Sequence, residues 1–312
     1  MADGSRDEGG GTASDTRCGF VAIIGAPNAG KSTLVNHMVG AKVSIVSHKV
    51  QTTRVPVRGI AVEGPAQIVF IDTPGIFQPK RRLDRAMVDA AWSGAHDADL
   101  MVLLVDAAKG LDDDVERILE RLTPSAHPKI LVLNKVDRVA DKDRLLPLIA
   151  KLSEKLTFER VFAVSALDGN GVEDLKRYLA DRMPAGPWHY PEDEISDVPL
   201  RLLAAELTRE KIYHYLHEEL PYATTVETTD WKPFKNGSVR VEQTIYVERD
   251  SQKAIVLGKG GQTIKKISSL SRSELSKILE RDVHLFLFVK VRENWGSDPE
   301  RYREIGLDFP KD

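Results

Sequence analysis

Unbroken apolar runs recur along the first half of the chain: FVAIIG (20–25), IVFID (68–72), LMVLLVD (100–106), KILVLN (129–134) and RVFAVSA (160–166). Runs without polar alternation predict strands buried on both faces. The helix-spaced stretches between them predict βαβ units and a parallel sheet. VRGIAV (57–62), just before IVFID, predicts an antiparallel strand at the sheet edge. The class is α/β: a doubly wound, mostly parallel sheet that collects ligands at the carboxyl ends of its strands.

The pattern changes at MPAGPWHYPEDEISDVP (183–199), where proline after proline fixes φ and predicts a stiff linker. Next comes LRLLAAELTREKIYHYLHEEL (200–220), a predicted helix stopped by Pro221. Strands follow at YATTVETT (222–229) and SVRVEQTIYVE (238–248), with the NG at 236–237 as their turn. A short helix (251–257), a glycine loop, a longer helix (262–281) and the strand VHLFLFVKV (283–291) complete the order α-β-β-α-α-β. That order predicts a smaller α+β domain. The expected division is a disordered leader (1–17), a first domain (18–182), the linker (183–199), a second domain (200–295) and a tail (296–312).

Composition narrows the classes without choosing one. The 312 residues allow two cores, and 42% hydrophobic with 29% charged residues is ordinary for a globular chain. A formal net charge of −3 provides no general basic field, so any nucleic-acid contact must be local. Cys18, the single cysteine, cannot form an internal disulfide and fits a reducing cytosol as a core residue. The Gly-rich leader lacks the apolar core of a signal peptide. No apolar run approaches the ~20 residues that span a bilayer. A cytoplasmic protein is predicted, with peripheral contact at the cytoplasmic face of the inner membrane left open.

GAPNAGKST (25–33) carries the first candidate chemistry. It fits G-x-x-x-x-G-K-[ST] directly after a strand and before a helix, the context that separates a P-loop from a tight turn. Gly25, Ala26, Pro27, Asn28, Ala29 and Gly30 would wrap phosphates with backbone N–H groups. Lys31 would reach the β- and γ-phosphates, and Ser32, followed by Thr33, would place its hydroxyl on Mg²⁺. NKVD (134–137) at the end of KILVL then favours guanine over adenine, because a carboxylate at Asp137 can accept both N1–H and the 2-amino group. Asn134 would brace the loop or touch the base, the Lys135 stem would cover the purine face, and Val136 lies between. SAL, made of Ser165, Ala166 and Leu167, would finish the base pocket through backbone N–H groups.

DTPG closes the phosphate side. Asp72 would hold Mg²⁺ through water, Thr73 and Pro74 carry the turn, and the Gly75 amide would sense the γ-phosphate, with Ile76 following. In HKVQTTR (48–54), extended to Val55, the residues Gln51, Thr52, Thr53 and Arg54 form a candidate switch loop. Thr53 is its candidate Mg²⁺ ligand in the triphosphate state. Lys31, Asn28 and Gly75 are the candidate catalytic groups.

LGKGGQTIKK (257–266) is a second glycine loop without the P-loop spacing, and it sits between two predicted helices. A helix–GxxG–helix unit clamps the backbone of single-stranded nucleic acid in the KH fold. Gly258, Gly260 and Gly261 allow close approach, and Lys259, Lys265 and Lys266 supply charge.

PNAGKS, QTTR and DTPGI in this order resemble the Era branch of the translation-factor class of P-loop GTPases. VERDSQKAIVLGKGGQTIKKIS and VRENWGSDPERYREIGLD are similar to the C-terminal type II KH domain of the same family. The resemblance covers about residues 18–309. It implies a GTPase that binds GTP and GDP, uses Mg²⁺, binds 16S ribosomal RNA near its 3′ end and helps the 30S subunit mature, acting as a monomer. In such relatives an asparagine at the Asn28 position helps hold K⁺. Many GTPases place a water-orienting glutamine just after DxxG. Here that residue is Ile76, so slow, K⁺-stimulated hydrolysis is expected. A membrane-associated signalling switch, its second domain binding protein or lipid, is the alternative.

Two features read as bland. Lys80, Arg81, Arg82 and Arg85 form a solvated helix start, and His214 with His217 lack a third metal ligand.

Overall fold

The computed structural model describes residues 16–216, 220–293, 295 and 298–310. Most of the predicted leader, His217, and residues 296, 297, 311 and 312 of the predicted tail lie outside the described residues.

The first domain runs β1 (Arg17–Ile24), α1 (Lys31–Val39), β2 (Val57–Glu63), β3 (Ala66–Asp72), α2 (Arg82–His96), β4 (Leu100–Asp106), α3 (Asp113–Leu122), β5 (Lys129–Asn134), α4 (Leu145–Lys155), β6 (Arg160–Ala163) and α5 (Val172–Arg182). Its six-stranded sheet has the order β2-β3-β1-β4-β5-β6, with β2 antiparallel to β3 at the edge and the other pairings parallel. Successive residues of each strand feed opposite cores. Val21, Ile23, Val102 and Leu104 pack with α1 and α5, while Ala22, Ile24, Met101 and Leu103 pack with α2, α3 and α4. This two-sided burial explains the unbroken apolar runs of β1, β3, β4 and β5, whereas β6, the other sheet edge, is only partly buried, contrary to the reading of its run.

The second domain runs α6 (Leu200–Tyr215), β7 (Thr225–Pro233), β8 (Val239–Val247), α7 (Asp250–Leu257), α8 (Gln262–Leu279) and β9 (Val283–Val291). In its sheet β8 lies between antiparallel β7 and parallel β9. The first helix ends earlier than Pro221 suggests. Leu216 turns extended and buries its side chain in the second core, and residues 220–223 form a single 3₁₀ turn before β7. The sheet therefore starts later and runs further toward the NG turn, where Gly237 supplies a positive φ of 84°.

The linker is seated rather than free. Fully buried Gln67 on β3 accepts from the His189 and Tyr190 amides and donates to the Tyr190 carbonyl. Ile60 donates its amide to the Ile195 carbonyl at 2.9 Å, so the linker extends the β2 edge. A last helix, α9 (Pro299–Glu304), and its flanks return to the first domain. Trp295, Tyr302, Leu307 and Phe309 pack with Leu83, Ala86 and Met87 of α2. Arg82 stacks on Phe309 at 5.0 Å. The basic start of α2 is therefore a packing surface as well as a solvated one, which corrects the reading from charge alone.

Candidate functional site: a strand-end cavity and a lysine-bearing loop

The loops after β1, β3, β4, β5 and β6 meet at one end of the sheet around a cavity of about 370 Å³. Of the residues singled out from sequence, Pro27, Asn28, Gly30, Lys31, Ser32, Thr33, Gln51, Thr52, Thr53, Gly75, Asn134, Lys135, Asp137, Ala166 and Leu167 line it. His48, which opens HKVQTTR, lines it too, as do residues 45–47, Asp106, Lys109 and Arg138, which carry no motif signal.

The glycines answer to space. Gly30 has φ of 101°, and a Cβ there would sit 2.3 Å from Asn134 Nδ2. At Gly75 a Cβ would meet the Pro27 backbone at 2.9 Å, so only glycine lets the loop after β3 lie this close to the loop after β1. Asn134 turns out to be a brace. It donates to the Ala29 carbonyl at 2.8 Å and accepts from the Ala166 amide at 2.9 Å, tying two loops together. The Ser165 amide is also spent internally, on the Asn170 carbonyl. Of the three SAL amides expected to face a base, this leaves that of Leu167, whose side chain is exposed. Lys135, at φ 63°, directs its ammonium to the Asn28 carbonyl at 2.5 Å and to Asp106 Oδ2 at 2.7 Å. Asp106, read from sequence only as the end of a strand, is thus the anchor that sets the Lys135 stem along the cavity wall.

Lys31 is buried and donates to the Gly25 and Ala26 carbonyls at 3.1 and 3.0 Å. Burial lowers its pKa to about 8, with Asp72 opposing and Lys135 adding to the fall. Asp72 is fully buried, and neither carboxylate oxygen has a hydrogen-bond partner. Burial raises its pKa, partly offset by the nearby Ser32 hydroxyl and Lys31. Just beside it the Ser32 and Thr53 hydroxyls lie 2.9 Å apart. An orphaned buried carboxylate with two hydroxyls is an oxygen-only donor set, which fits a hard divalent cation.

Other predicted residues face elsewhere. The Thr73 hydroxyl donates to the Ile23 carbonyl at 2.7 Å, and Ile76 joins the core behind β1 while its amide donates to the Gly25 carbonyl. Arg54 and Val55 turn away from the cavity. The Arg54 guanidinium lies buried over Trp295 at 5.6 Å with no acceptor on any of its three nitrogens, and Val55 packs beside Leu307. Asn28, in the left-handed region, donates its Nδ2 to the His48 carbonyl at 2.9 Å, so its carboxamide oxygen takes no part in that bond.

In the second domain, Gly258, Gly260 and Gly261 all have positive φ, and the loop between α7 and α8 closes as one 3₁₀ turn. A Cβ at Gly258 would meet Thr263 Oγ1 at 2.1 Å, whereas Gly260 and Gly261 face open space. Lys259 and Lys265 are exposed around this loop. The Lys266 ammonium instead sits 4.5 Å over the Tyr215 ring, on the side of α6. Among the described residues no cluster of His, Cys, Asp or Glu could hold a metal.

A strand–glycine loop–helix phosphate site with a guanine-type NKxD loop, joined to a helix–GxxG–helix unit, defines a P-loop GTPase with a KH domain. A family model described as 50S ribosome-binding GTPase matches residues 20–135, and a KH domain model matches residues 211–296. The chain is 65% identical over 311 residues to GTPase Era of Rhizobium meliloti (strain 1021), covering 100% of this chain and 99% of the relative. It is 64% identical over 302 residues to GTPase Era of a Bradyrhizobium sp. (strain BTAi1), covering 97% and 98%. A crystal structure of Era in complex with MgGDPNP and nucleotides 1506–1542 of 16S ribosomal RNA superposes with a TM-score of 0.89 at 39% identity, covering 93% of this chain and 99% of that one. The chain belongs to the Era family of GTPases.

Proposed function

We propose that this GTPase is a timer for small-subunit assembly. It binds 16S ribosomal RNA near its 3′ end through the KH domain, assists 30S maturation in the cytoplasm as a monomer, and lets go after hydrolysis. The observation that carries the reading is the pairing of two phosphate loops of different construction. One lies between a strand and a helix with a base-reading loop beside it, and the other lies between two helices with exposed lysines. The relative's complex, holding MgGDPNP and 16S ribosomal RNA together, supports it. Nothing in the comparisons supports the membrane-signalling alternative.

In the nucleotide site, residues 25–33 cradle the phosphates and Lys31 neutralises them. Ser32 and Thr53 ligate Mg²⁺ with Asp72 behind them, Gly75 senses the γ-phosphate, and Asp137 reads guanine. Bound Mg²⁺ supplies charge to the leaving and transferred phosphates. Phosphate would raise the Lys31 pKa, so the complex binds more protons than the free protein does. Affinity for GDP should therefore be at its full value below about pH 8 and fall as pH rises above it, toward tenfold per unit. Fluorescent-nucleotide titrations from pH 7 to 10 measure this, and a flat profile would show that Lys31 stays charged throughout.

Ile76 lies in the core and cannot orient water, so hydrolysis leans on charge stabilisation at the phosphates, to which a further cation would add. The Asn28 carboxamide oxygen is the K⁺ ligand in this reading. Turnover should be several-fold faster in KCl than in NaCl at equal ionic strength, in line with a cation that adds charge stabilisation to the transferred phosphoryl group. Equal rates would remove the cation.

The RNA assignment is tested with an oligonucleotide of the 16S 3′ end. Lys259→Glu should weaken binding on the order of tenfold and flatten its salt dependence, leaving GTP affinity unchanged. RNA affinity equal to that of the parent protein would overturn it.

A further inference from the structure

The loop that carries Thr53 is gripped from the other domain. Arg209 and Tyr213 lie four residues apart on α6 and so share one helix face. Arg209 donates Nη2 to the Thr52 carbonyl at 2.5 Å, and the Tyr213 hydroxyl donates to the Gln51 carbonyl at 3.1 Å. Both side chains are 1% exposed. Burial opposes the Arg209 charge, but the Glu206 carboxylate beside it overcomes that cost and holds its pKa above the ordinary arginine value. Glu206 accepts from Arg209 Nε at 2.8 Å as well as from Nη2, which fixes the plane of the fork. Two further bonds anchor the same loop: Glu210 accepts from the Val46 amide at 2.8 Å, and the Leu216 carbonyl accepts from the Lys49 ammonium.

Each carbonyl held by α6 belongs to a residue one or two places before Thr53. The Thr53 hydroxyl then stands 2.9 Å from that of Ser32. We infer that Arg209 and Tyr213 are positioning residues for GTP hydrolysis: from the KH domain they fix the Thr52 and Gln51 carbonyls and thereby deliver the Thr53 hydroxyl to the magnesium site. The inference rests on the reading of Thr53 and Ser32 as metal ligands. It makes completion of the metal shell depend on a docked α6, so anything that draws the KH domain away from the loop loosens the shell and slows turnover.

The alternative is that these bonds only join the domains. In that case they would alter stability and leave metal dependence alone. Tyr213→Phe separates the two roles, because it removes one hydroxyl and keeps the ring that packs edge-on against Tyr222 at 5.8 Å. Arg209→Lys keeps a charge but loses the fork, and Arg209→Gln loses both. Thr53→Ala serves as the reference. In the full chain, single-turnover hydrolysis at saturating GTP is followed across a Mg²⁺ titration, with GDP affinity measured in parallel.

Thr53→Ala should raise the Mg²⁺ midpoint on the order of tenfold, and Tyr213→Phe about threefold, the scale of one lost hydrogen bond. The loss should appear in the single-turnover rate constant with GDP affinity within about twofold of the parent, Arg209→Lys should restore part of what Arg209→Gln loses, and Tyr213→Phe should add nothing to Thr53→Ala. If Thr53→Ala leaves the midpoint unchanged, the metal-ligand reading falls and the inference with it. If Thr53→Ala moves the midpoint while Tyr213→Phe and Arg209→Gln do not, or if the effects multiply in the double variant, the inference alone falls.

Discussion

Replacing Asp137 with Asn is expected to cost the protein its affinity for GTP and transfer it to xanthosine nucleotides. Asp137 follows left-handed Lys135 in a single 3₁₀ turn (136–138) and is exposed at the cavity edge. Its carboxylate only accepts, and guanine offers N1–H and a 2-amino group, so in the proposed role it would take two charge-assisted bonds. Each is worth about 1.5–3 kcal/mol; an asparagine keeps only a neutral acceptor and sets its own N–H against the 2-amino group, so guanine binding weakens on the order of 10²-fold or more. An asparagine presents one acceptor and one donor. Xanthine, with a carbonyl where guanine has the amino group, offers the matching pair. Competition between GDP and XDP for a fluorescent nucleotide reads the exchange directly. Undiminished GDP affinity in Asp137→Asn would place base recognition elsewhere. Asn134 is a poor site for the same experiment, because it braces two loops and its loss would disturb the phosphate side too.

Removing the Tyr302 side chain is expected to release the C-terminal segment from α2. Tyr302 is 1% exposed, meets Phe309 edge-on at 5.0 Å and joins Leu83, Met87, Trp295 and Leu307 in one cluster. Aromatic-to-alanine changes in such a setting cost about 3–5 kcal/mol, transfer and cavity together. Tyr302→Ala should therefore lower the first thermal transition on the order of 10 °C and open residues 298–310 to protease. Tyr302→Phe keeps the ring in the cluster and should retain most of the stability. If Tyr302→Ala melted with the parent and resisted protease equally, the cluster would not hold the segment. Trp295 strengthens the expectation, since its Nε1 donates to the Ala223 carbonyl at 3.0 Å while its ring lies under Arg54. The segment thus touches residues beside both nucleotide-facing loops, that after α1 and that leading into α2.

How much of this could be read beforehand depends on chain distance. The phosphate loop, DTPG, NKVD and the KH glycine loop each act within a few consecutive residues. The element that each motif directly follows, a strand for the first three and a helix for the KH loop, already fixes where its backbone starts, so spacing and local periodicity carried the chemistry. Two-sided burial of β1, β3, β4 and β5 likewise wrote itself into unbroken apolar runs, and the antiparallel edge strand β2 was legible from its short connection to β3.

Other features had no local trace. Asp106 looks like a strand end until Lys135, 29 residues on, arrives 2.7 Å away. The linker reads as stiff but unattached, until Gln67, more than 120 residues earlier, pairs with its backbone. Lys266 counts toward a basic patch by composition, but α6 turns its ammonium onto Tyr215. Arg54 belongs to a switch motif by position, but its side chain is directed into the contact with Trp295.

The sequence by itself therefore determined the two domains' classes, the phosphate chemistry of the first loop, its guanine partner and the different build of the second loop. All of these depend on neighbours in the chain, whose geometry follows from local backbone preference. Only the tertiary structure decided that α6 of the KH domain holds the Thr53 loop, that the C-terminal segment closes on α2, and which polar groups brace rather than bind. Those outcomes come from burial and hydrogen bonding between residues far apart in sequence. Such pairings leave no period in the chain and exist only once both domains have folded and docked.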